Sequence, residues 1–321
     1  MSREEARVSA CLVCGSEEFA PLFKASDRLY HTTAKEFAVV RCGECGLVRL
    51  DPHPAPDELR QYYPDNYWFS PDQTAASRLE EAYRRLVLRD HVQFVAQALG
   101  SSRARGPLLD VGCGGGLFLG MMRQRGFRVV GLDSSRQAAA IAWRRQLAPA
   151  VCADMEKAPL GAGSLAGITM FHVMEHLYDP RAYLRAAHGL LAEDGRLVVQ
   201  VPNAASWQFR LLGRAWNGVD VPRHLFDFRD RDVERLLQQS GFEVVRRKYF
   251  SLRDNPAGLA SSLAPWLDPM ARRVRRIPET GGVRLAKDLV YLTLVAAALP
   301  VTLLEAACRA GSTVMIEARP H

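Results

Sequence analysis

The sequence has few lysines, no internal repeat, no low-complexity stretch and no apolar segment near its N-terminus. Only five of its 42 basic residues are lysine, and its formal net charge is a modest +7 over 321 residues. The absence of repeats excludes a repeat array, and the opening residues, 1–5, lack the apolar core of a secretory signal peptide. With 48% hydrophobic residues, this length suits one large α/β domain and a small additional module.

Four of the seven cysteines form two CxxCG pairs near the N-terminus, and each glycine permits a turn around the sulfurs. Four thiolates at this spacing are typical of structural zinc in a closed tetrahedral site. Disulfides are the alternative, but the other cysteines lie in apolar or glycine-rich settings, as buried thiols do, and the compartment is expected to be reducing. The predicted zinc ligands are Cys11, Cys14, Cys42 and Cys45.

An apolar run at 108–111 contains Asp110 and is followed at once by Gly112, Gly114 and Gly116. The pattern predicts a buried parallel strand, a tight turn and a helix, with a ligand at the carboxyl end of the strand. A dinucleotide fold needs GxGxxG, but its third glycine position is Leu117 here. The carboxylate would repel a pyrophosphate and suits a ligand that carries an ammonium and a sulfonium. S-adenosylmethionine is such a ligand.

A second strand at 128–133 ends at Asp133, 21 residues after Gly112, where a carboxylate can accept both ribose hydroxyls. A turn is expected at Asp194-Gly195, before the fifth strand. The other predicted strands are 150–155, 168–171, 196–201, 242–250 and 313–319, the last two forming an antiparallel pair at the sheet edge.

These motifs resemble, in order along nearly the whole chain, the class I S-adenosylmethionine-dependent methyltransferases. The resemblance implies a doubly wound α/β fold with a seven-stranded, mostly parallel, Rossmann-like sheet whose last strand is antiparallel, and a small N-terminal zinc ribbon. The expected domains are the ribbon at 1–50, a linker or lid at 51–77 and the methyltransferase domain at 78–321, with a helical insertion at about 251–311.

The resemblance also implies the cofactor site. In the family, an acid after the third strand meets the adenine amino group and its neighbour packs on the ring, roles that fall to Asp154 and Met155. Cys113 is expected to be a small filler of the turn. The implied cofactor-binding residues are Asp110, Gly112, Cys113, Gly114, Gly116, Asp133, Ser134, Asp154, Met155, Phe171 and His172.

Residues 172–176 read HxxEH, for which two interpretations exist. A zinc peptidase carries this motif inside a long helix, whereas Asp179-Pro180 here signals a new helix start. The segment resembles the ExxEH of ubiquinone-type O-methyltransferases, where Glu175, His176 and another histidine can hold a divalent ion that lowers the pKa of a substrate hydroxyl. His172 departs from that pattern.

The loop at 204–228 is rich in aromatic and polar groups of the kind that line small-molecule sites. Its segment 221–226 recurs in the resembling subfamily facing the methyl donor. His224 is therefore a candidate general base or third ligand of the second metal site, and the alternative is a histidine that only fixes its loop. The predicted catalytic residues are His172, Glu175, His176 and His224.

Two segments flank these motifs. The proline-rich connector at 51–56 leads to aromatic residues, including Tyr62, Tyr63 and 66–68, which either form a lid over the cofactor or join the ribbon to the sheet. Apolar residues at helical spacing over 78–99 predict one helix that leads into the fold.

The stretch 289–308 is apolar, with Glu305 as its one charge and Pro300 near its middle. A bilayer span would separate the paired sixth and seventh strands, so two short inserted helices are expected. Membrane or lipid-substrate contact over 285–310 competes with an ordinary core or dimer contact. The basic run at 272–276 favours a membrane surface, its alternative being a solvated helix face.

The sequence therefore predicts a cytoplasmic methyltransferase, peripheral to the inner face of the membrane in one interpretation, that acts on oxygen or carbon of a small or lipid-linked molecule of sugar, quinone or secondary-metabolite type. An RNA base methyltransferase that uses the ribbon and arginines is an alternative, but 201–203 lacks the NPPY-type motif. A non-catalytic cofactor-binding scaffold is a second alternative. An oligomer is compatible with the sequence.

Overall fold

The structure is a computed structural model that describes residues 10–64, 75–100 and 106–321. Its strands are β1 (Phe19–Ala25), β2 (Phe37–Cys42), β3 (Val48–Leu50), β4 (Leu108–Val111), β5 (Val129–Asp133), β6 (Ala150–Cys152), β7 (Leu165–Phe171), β8 (Leu191–Pro202), β9 (Phe226–Asp227), β10 (Phe242–Lys248) and β11 (Thr313–Pro320). Its helices are α1 (Pro56–Arg60), α2 (Ala75–Val87), α3 (Arg89–Leu99), α4 (Leu117–Gln124), α5 (Arg136–Gln146), α6 (Pro180–Leu190), α7 (Trp207–Leu212), α8 (Asp230–Gln239), α9 (Asn255–Leu263), α10 (Pro269–Val274) and α11 (Gly281–Ala307).

The described chain forms two compact units. The first comprises the described parts of 1–67, 202–233 and 255–312, and the second those of 68–201, 234–254 and 313–321. The first unit thus combines the cysteine-rich segment with parts of the chain that sequence analysis places in the methyltransferase domain. The functional boundaries 1–50, 51–77 and 78–321 stay a prediction.

The second unit is built on a seven-stranded sheet with the order β10-β11-β8-β7-β4-β5-β6. Strand β4 pairs in parallel with β5 and β7, β5 with β6, and β7 with β8, whereas β10 and β11 are antiparallel. The chain therefore winds outward in both directions from β4, and the predicted doubly wound, mostly parallel sheet is confirmed. Every residue of β4 is buried, as expected for a central parallel strand.

Several strand boundaries differ from the predictions, among them the start of β7, the end of β6 and the start of β8. Strand β6 ends at Cys152, because a 3-10 turn at Met155–Lys157 follows it. Strand β8 begins at Leu191, so the predicted turn at Asp194-Gly195 is wrong: both residues lie within the strand. Pairing with β7 is irregular there, since Leu165 pairs with Leu191 and Gly167 with Arg196, and the extra residues of β8 bulge without ending it.

The single helix predicted over 78–99 is two helices, α2 and α3, interrupted at Leu88. The carboxylate of Asp90 accepts the backbone N–H of His91 and satisfies one of the amides that a new helix start leaves without a partner. Apolar spacing does not reveal this break, because Val87 and Leu88 are both buried. The side chains of Arg78 and Leu79, and residues 66–68 of the predicted lid, lie outside the described residues.

The first unit contains a four-stranded antiparallel sheet with the order β1-β2-β3-β9. Its last strand comes from far along the chain: Phe226 and Asp227 of β9 pair with Arg49 and Val48 of β3. The cysteine-rich segment therefore shares a sheet with the loop that carries His224.

The two short helices predicted over 289–308 are one continuous helix, α11, which passes through Pro300. A proline inside a helix removes one backbone hydrogen bond, but side chains on both sides of it are buried in the fold. The hydroxyl of Thr302 also donates to the carbonyls of Ala298 and Leu299 at 3.1 Å. Packing on both sides thus holds the helix together across the proline.

Candidate active site

The glycine turn after β4 requires glycine for two physical reasons. Gly112, Gly114 and Gly116 have positive φ values of 70°, 51° and 74°. A Cβ on Gly112 would lie 2.7 Å from the side chain of Val173, and one on Gly116 would lie 2.7 Å from the Cβ of Ala142. The turn therefore combines a left-handed backbone with close packing, which brings backbone amides to the carboxyl end of β4.

Asp110 lies on β4 and is buried, with 4% of its surface exposed. The hydroxyl of Thr169, on the neighbouring strand β7, donates a 2.6 Å hydrogen bond to its Oδ1. Burial and the nearby charge of Asp133 raise the pKa of Asp110 to about 7, although Thr169 opposes this shift. A carboxyl group with this pKa loses its proton readily when a cation binds beside it, because the cation favours the charged form.

Asp133 ends β5, and both of its carboxylate oxygens accept backbone N–H groups. Oδ2 accepts from Gly114 at 2.9 Å, and Oδ1 accepts from Ser135 at 2.8 Å. Burial nevertheless raises the pKa of Asp133. These bonds fix the carboxylate between the glycine turn and the start of α5, while each oxygen keeps capacity to accept one more hydrogen bond, as from a ribose hydroxyl.

The other predicted cofactor residues surround this edge of the sheet. Cys113 is buried, and burial raises the pKa of its thiol above the usual range, which suits a neutral filler. Asp154 is exposed and precedes the 3-10 turn in which Met155 is buried. Phe171, at the end of β7, makes edge-to-face contacts with Phe118 and His91 at 5.1 Å between ring centroids. Ser134 lies between Asp133 and the residue that caps α5.

His172 follows β7 with a φ of 55°, which is uncommon for a residue with a side chain. Its Nδ1 lies 3.1 Å from Oε1 of Glu175, and its Nε2 lies 3.5 Å from Oδ1 of Asp254. Burial disfavours the charged ring, but the carboxylates of Asp254 and Glu175 outweigh burial and raise the pKa of His172 to about 9. The raised pKa favours the charged form of His172 at neutral pH, and that form suits charge stabilisation better than proton abstraction.

Sequence reasoning missed three residues that organise this site: Thr169, Gln200 and Asp254. The Nε2 of Gln200 donates to Oδ2 of Asp254 at 2.7 Å, and the hydroxyl of Ser251 donates to the same oxygen at 2.6 Å. The basic groups around Asp254 keep its pKa well below the usual range in spite of burial. No local motif surrounds Asp254, so only the folded structure shows its role.

The segment 172–176 forms a 3-10 turn at Met174–His176 and not a long helix. Asp179 caps the following helix α6 by accepting the N–H of Ala182 at 3.0 Å, as predicted. The zinc-peptidase interpretation is therefore wrong, because its histidines must share one helical face. Glu175 and His176 belong to the second unit and His224 to the first, and the predicted second metal site stays a prediction.

In the first unit, His224 is held by its own loop. Its Nδ1 lies 2.8 Å from the carbonyl oxygen of Gly218, to which it donates in the matching tautomer. The neighbouring Arg223 is fully buried and pairs with Asp27 at 2.9 Å and with Asp220. The loop-fixing contact of the alternative interpretation is thus present, and acid–base chemistry at this ring would use Nε2.

The four N-terminal cysteines come together in the first unit, with their sulfur atoms all within 4.8 Å of one another. The Sγ atoms of Cys11 and Cys45 are 3.5 Å apart, and those of Cys14 and Cys42 are 3.6 Å apart. Sulfurs bound at about 2.3 Å around a tetrahedral zinc ion lie roughly 3.8 Å apart, so the set fits that ion.

Two equivalent turns shape this cluster. The N–H of Gly15 donates to the carbonyl of Cys11, and the N–H of Gly46 donates to that of Cys42. Both glycines have positive φ, 80° and 77°. Each CxxCG pair thus folds into a knuckle that directs its two thiols toward the other pair.

Comparison with known proteins places this geometry in context. A family model described as a methyltransferase domain matches residues 55–247. The ubiquinone biosynthesis O-methyltransferase of Pseudomonas aeruginosa (strain UCBPP-PA14) is 31% identical over 149 residues, which cover 43% of this chain and 64% of that protein. The protein of the same name from Ruegeria pomeroyi is 32% identical over 162 residues, covering 44% and 62%. The chain thus spans less than two thirds of the length of these curated relatives.

Among solved structures, the geranyl diphosphate C-methyltransferase of Streptomyces coelicolor A3(2), determined with Mg²⁺, geranyl diphosphate and S-adenosyl-L-homocysteine, aligns with a TM-score of 0.51. The alignment covers 80% of this chain and 89% of that one at 16% identity. A likeness at this identity concerns the fold alone.

Proposed function

The chain belongs to the methyltransferase domain family, and from this premise we propose that it transfers the methyl group of S-adenosylmethionine to an oxygen or carbon of a small or lipid-linked molecule. The observation that carries the proposal is the pair Asp110 and Asp133. Both are buried at the carboxyl end of neighbouring strands, and the glycine turn lies between them. This arrangement suits a ligand with a ribose and two positive charges.

In this proposal, each residue at the carboxyl end of the parallel strands has one role. Asp133 accepts the ribose hydroxyls, and Asp110 places a negative charge near the ammonium and sulfonium, directly or through water. Met155 packs against the adenine ring, with Asp154 at the adenine amino group. The sulfonium supplies an activated methyl group with a neutral leaving group, so the protein mainly has to align the reactants.

The acceptor side rests on the histidines and Glu175. The imidazolium of His172, held by Glu175 and Asp254, can stabilise negative charge that develops on an acceptor oxygen. His224 takes up the acceptor proton through Nε2 where the acceptor is weakly acidic. A divalent ion held by Glu175, His176 and His224 would be another means of activating an acceptor hydroxyl. The proposal includes both this ion and proton transfer to His224.

The substrate class is proposed from the relatives and the composition. The curated relatives are named for ubiquinone biosynthesis, and a structural neighbour for geranyl diphosphate. Both molecules carry prenyl groups, so we propose an acceptor with an apolar portion. We assign the enzyme to the cytoplasm, with an acceptor of sugar, quinone or secondary-metabolite type.

For the cysteine cluster, we propose a structural zinc ion. Four sulfur atoms within 4.8 Å of one another would fill all four positions around a tetrahedral zinc ion and leave none open for substrate. Backbone hydrogen bonds to the cysteine carbonyls already define both knuckles. The ion would contribute to the folding of the first unit and not to the methyl transfer.

Calorimetry with the zinc-loaded protein tests the proposal. We expect saturable binding of S-adenosylmethionine, no binding of a nicotinamide or flavin nucleotide, and a loss of at least about tenfold in affinity for Asp133→Asn. Asp194→Asn, in the bulge of β8, is a control that should bind normally. A metabolite screen with labelled methyl donor, with and without chelator, then identifies the acceptor and the role of metal. Saturation by a dinucleotide alone would disprove the assignment.

A further inference from the structure

Helix α11 presents two faces of different surroundings. Its buried stripe consists of five residues at helical spacing: Tyr291, Val295, Ala298, Thr302 and Glu305. This stripe packs within the first unit, where Tyr291 and Val295 contact Ala260 of α9. Gln208 donates a 2.8 Å hydrogen bond to the carboxylate of Glu305. The stripe thus anchors the helix to its own unit.

The other face is exposed and apolar. Leu285, Leu289 and Leu304 keep 62%, 55% and 57% of their surface exposed. From 289 to 307, all of which the structure describes, no exposed residue carries a charge. The exposed hydroxyl of Thr293 donates to the carbonyl of Leu289 in the same helix. A continuous apolar face of this length is unusual on a soluble protein and marks an interaction surface.

The segment before this face is basic. Between 272 and 288 there are six arginines or lysines and two acids, Glu279 and Asp288. Both acids already pair with basic side chains, Glu279 with Arg272 and Lys287, and Asp288 with Arg272 and Arg284. The segment therefore keeps a positive excess at one end of the apolar face.

We propose that the exposed face of α11 docks on the surface of an anionic lipid bilayer, with the helix lying in the interfacial plane and the basic segment at the headgroups. Apolar side chains that enter the acyl boundary and basic groups that meet anionic headgroups are the two contributions that hold such a helix. The proposal does not depend on methyl transfer.

Two features distinguish this docking from a transmembrane span. By length and composition α11 can cross a bilayer, and it is the one helix among the described residues that can. However, its buried stripe packs against protein and carries the bonded carboxylate of Glu305, which hydrocarbon would not accommodate. The strands before and after the insertion, β10 and β11, also pair in one sheet, and a single span between them would separate them.

The chemistry of the face also favours lipid over a second protein chain. Stable protein interfaces combine an apolar centre with a polar rim and about one hydrogen bond per 100–200 Å². Along 289–307 the exposed face offers aliphatic side chains and one hydroxyl that is already bonded. A lipid surface requires no hydrogen bonds from this face, and its anionic headgroups account for the basic residues at one end.

Cosedimentation of the full-length, zinc-loaded chain with vesicles tests the proposal. We expect binding to vesicles of phosphatidylcholine with phosphatidylglycerol and much weaker binding to phosphatidylcholine alone. The quadruple variant L289S/L292S/L303S/L304S should lose at least about tenfold in partitioning. Leu147→Ser is the matched control, because Leu147 is an exposed leucine of the other unit, at 64%. It should bind like the parent.

Two further variants examine the charges separately. Arg276→Gln and Arg284→Gln remove two exposed arginines, and each should weaken binding to the anionic vesicles by about fivefold while leaving the fold intact. Sedimentation velocity without vesicles measures self-association in parallel. Full vesicle binding by the quadruple variant overturns the proposal. The proposal is also overturned if the parent forms a dimer that the quadruple variant dissociates, without any lipid binding. Vesicle-bound protein that only detergent releases overturns it as well.

Discussion

Thr169 and Asp110 lie opposite each other on adjacent parallel strands, and the threonine hydroxyl donates a 2.6 Å hydrogen bond to the buried carboxylate. This is the one side-chain hydrogen bond that the structure gives Asp110 among the described residues. It opposes the burial that raises the pKa of Asp110 to about 7. The protonation state of Asp110 therefore depends on its burial, on Asp133 of β5 and on Thr169 of β7.

The affinity for S-adenosylmethionine should depend on pH through Asp110. A bound cation favours the carboxylate and lowers its pKa from about 7, so binding releases a proton below that pH. Affinity should therefore rise between about pH 5 and 7 and level off above. Thr169→Val removes the bond that lowers this pKa and should move the plateau to higher pH. Calorimetry in buffers of different ionisation enthalpy measures the released proton, and an affinity independent of pH would contradict the assignment.

Gly116→Ala should destabilise the second unit by about 1–3 kcal/mol, because it combines strain at positive φ with a steric conflict with Ala142. Gly163→Ala is the matched control, since Gly163 has a φ of 63° with no atom within 4 Å of the added Cβ. It should cost only about 1 kcal/mol, from backbone strain alone. Denaturant unfolding compares the free energies of unfolding of the two variants. Equal losses would show that the contact with Ala142 adds nothing to the cost of the strained backbone.

Asp254→Asn should lower the pKa of His172 from about 9 toward its ordinary value of 6.5, because it removes the larger of the two carboxylate contributions. At pH 8 the ring would then change from mostly charged to mostly neutral. The imidazole resonances in an NMR titration report this directly. Asp90→Asn, next to His91 and without a bond to His172, is the control that should leave this pKa in place.

Cys14→Ser should reduce bound zinc well below one ion per chain and destabilise the first unit, since structural zinc contributes folding free energy. Cys152→Ser changes an exposed thiol outside the cluster and should leave the metal content unchanged. Elemental analysis and thermal unfolding give the two readouts. Normal zinc content in Cys14→Ser would remove this cysteine from the ligand set.

Asp27→Asn should destabilise the protein by about 3–5 kcal/mol, because it leaves the fully buried Arg223 with one carboxylate fewer. Glu58→Gln breaks the exposed pair with Lys35 and should cost less than about 1 kcal/mol. Despite burial, Arg223 lowers the pKa of Asp27 from 3.8 to about 2, so this stabilisation is present above pH 4 and is lost as the pH falls toward 2. Acid unfolding of both variants tests the difference.

The features predicted correctly from the sequence are those that local pattern dictates. Apolar runs that end in Asp110 and Asp133, glycines at positive φ, the cap at Asp179 and the paired cysteines all depend on neighbours within a few residues. Each needs a particular residue type for a local physical reason. The seven-stranded, mostly parallel sheet with an antiparallel last strand followed from the family resemblance to which these motifs point.

The features that were missed depend on contacts between distant segments. Asp254 approaches His172 although 81 residues separate them, and nothing in its neighbourhood marks it. Helix α11 continues through Pro300 because other parts of the fold cover its stripe on both sides of the proline. The bulge that keeps Asp194 within β8 arises from pairing with β7. The spacing of residue types along the sequence does not reveal these distant contacts.

The pairing of β3 with β9 limits which parts of this protein can be exchanged independently. Arg229, just beyond β9, donates to the carbonyl of Cys45, and a Cβ on Gly46 would collide with that guanidinium. A chimera that exchanges only the first fifty residues with those of a homologue would pair β9 with a foreign strand and place Arg229 against a foreign turn. Residues 10–50 and 220–232 therefore have to be exchanged together, although they lie far apart in the sequence.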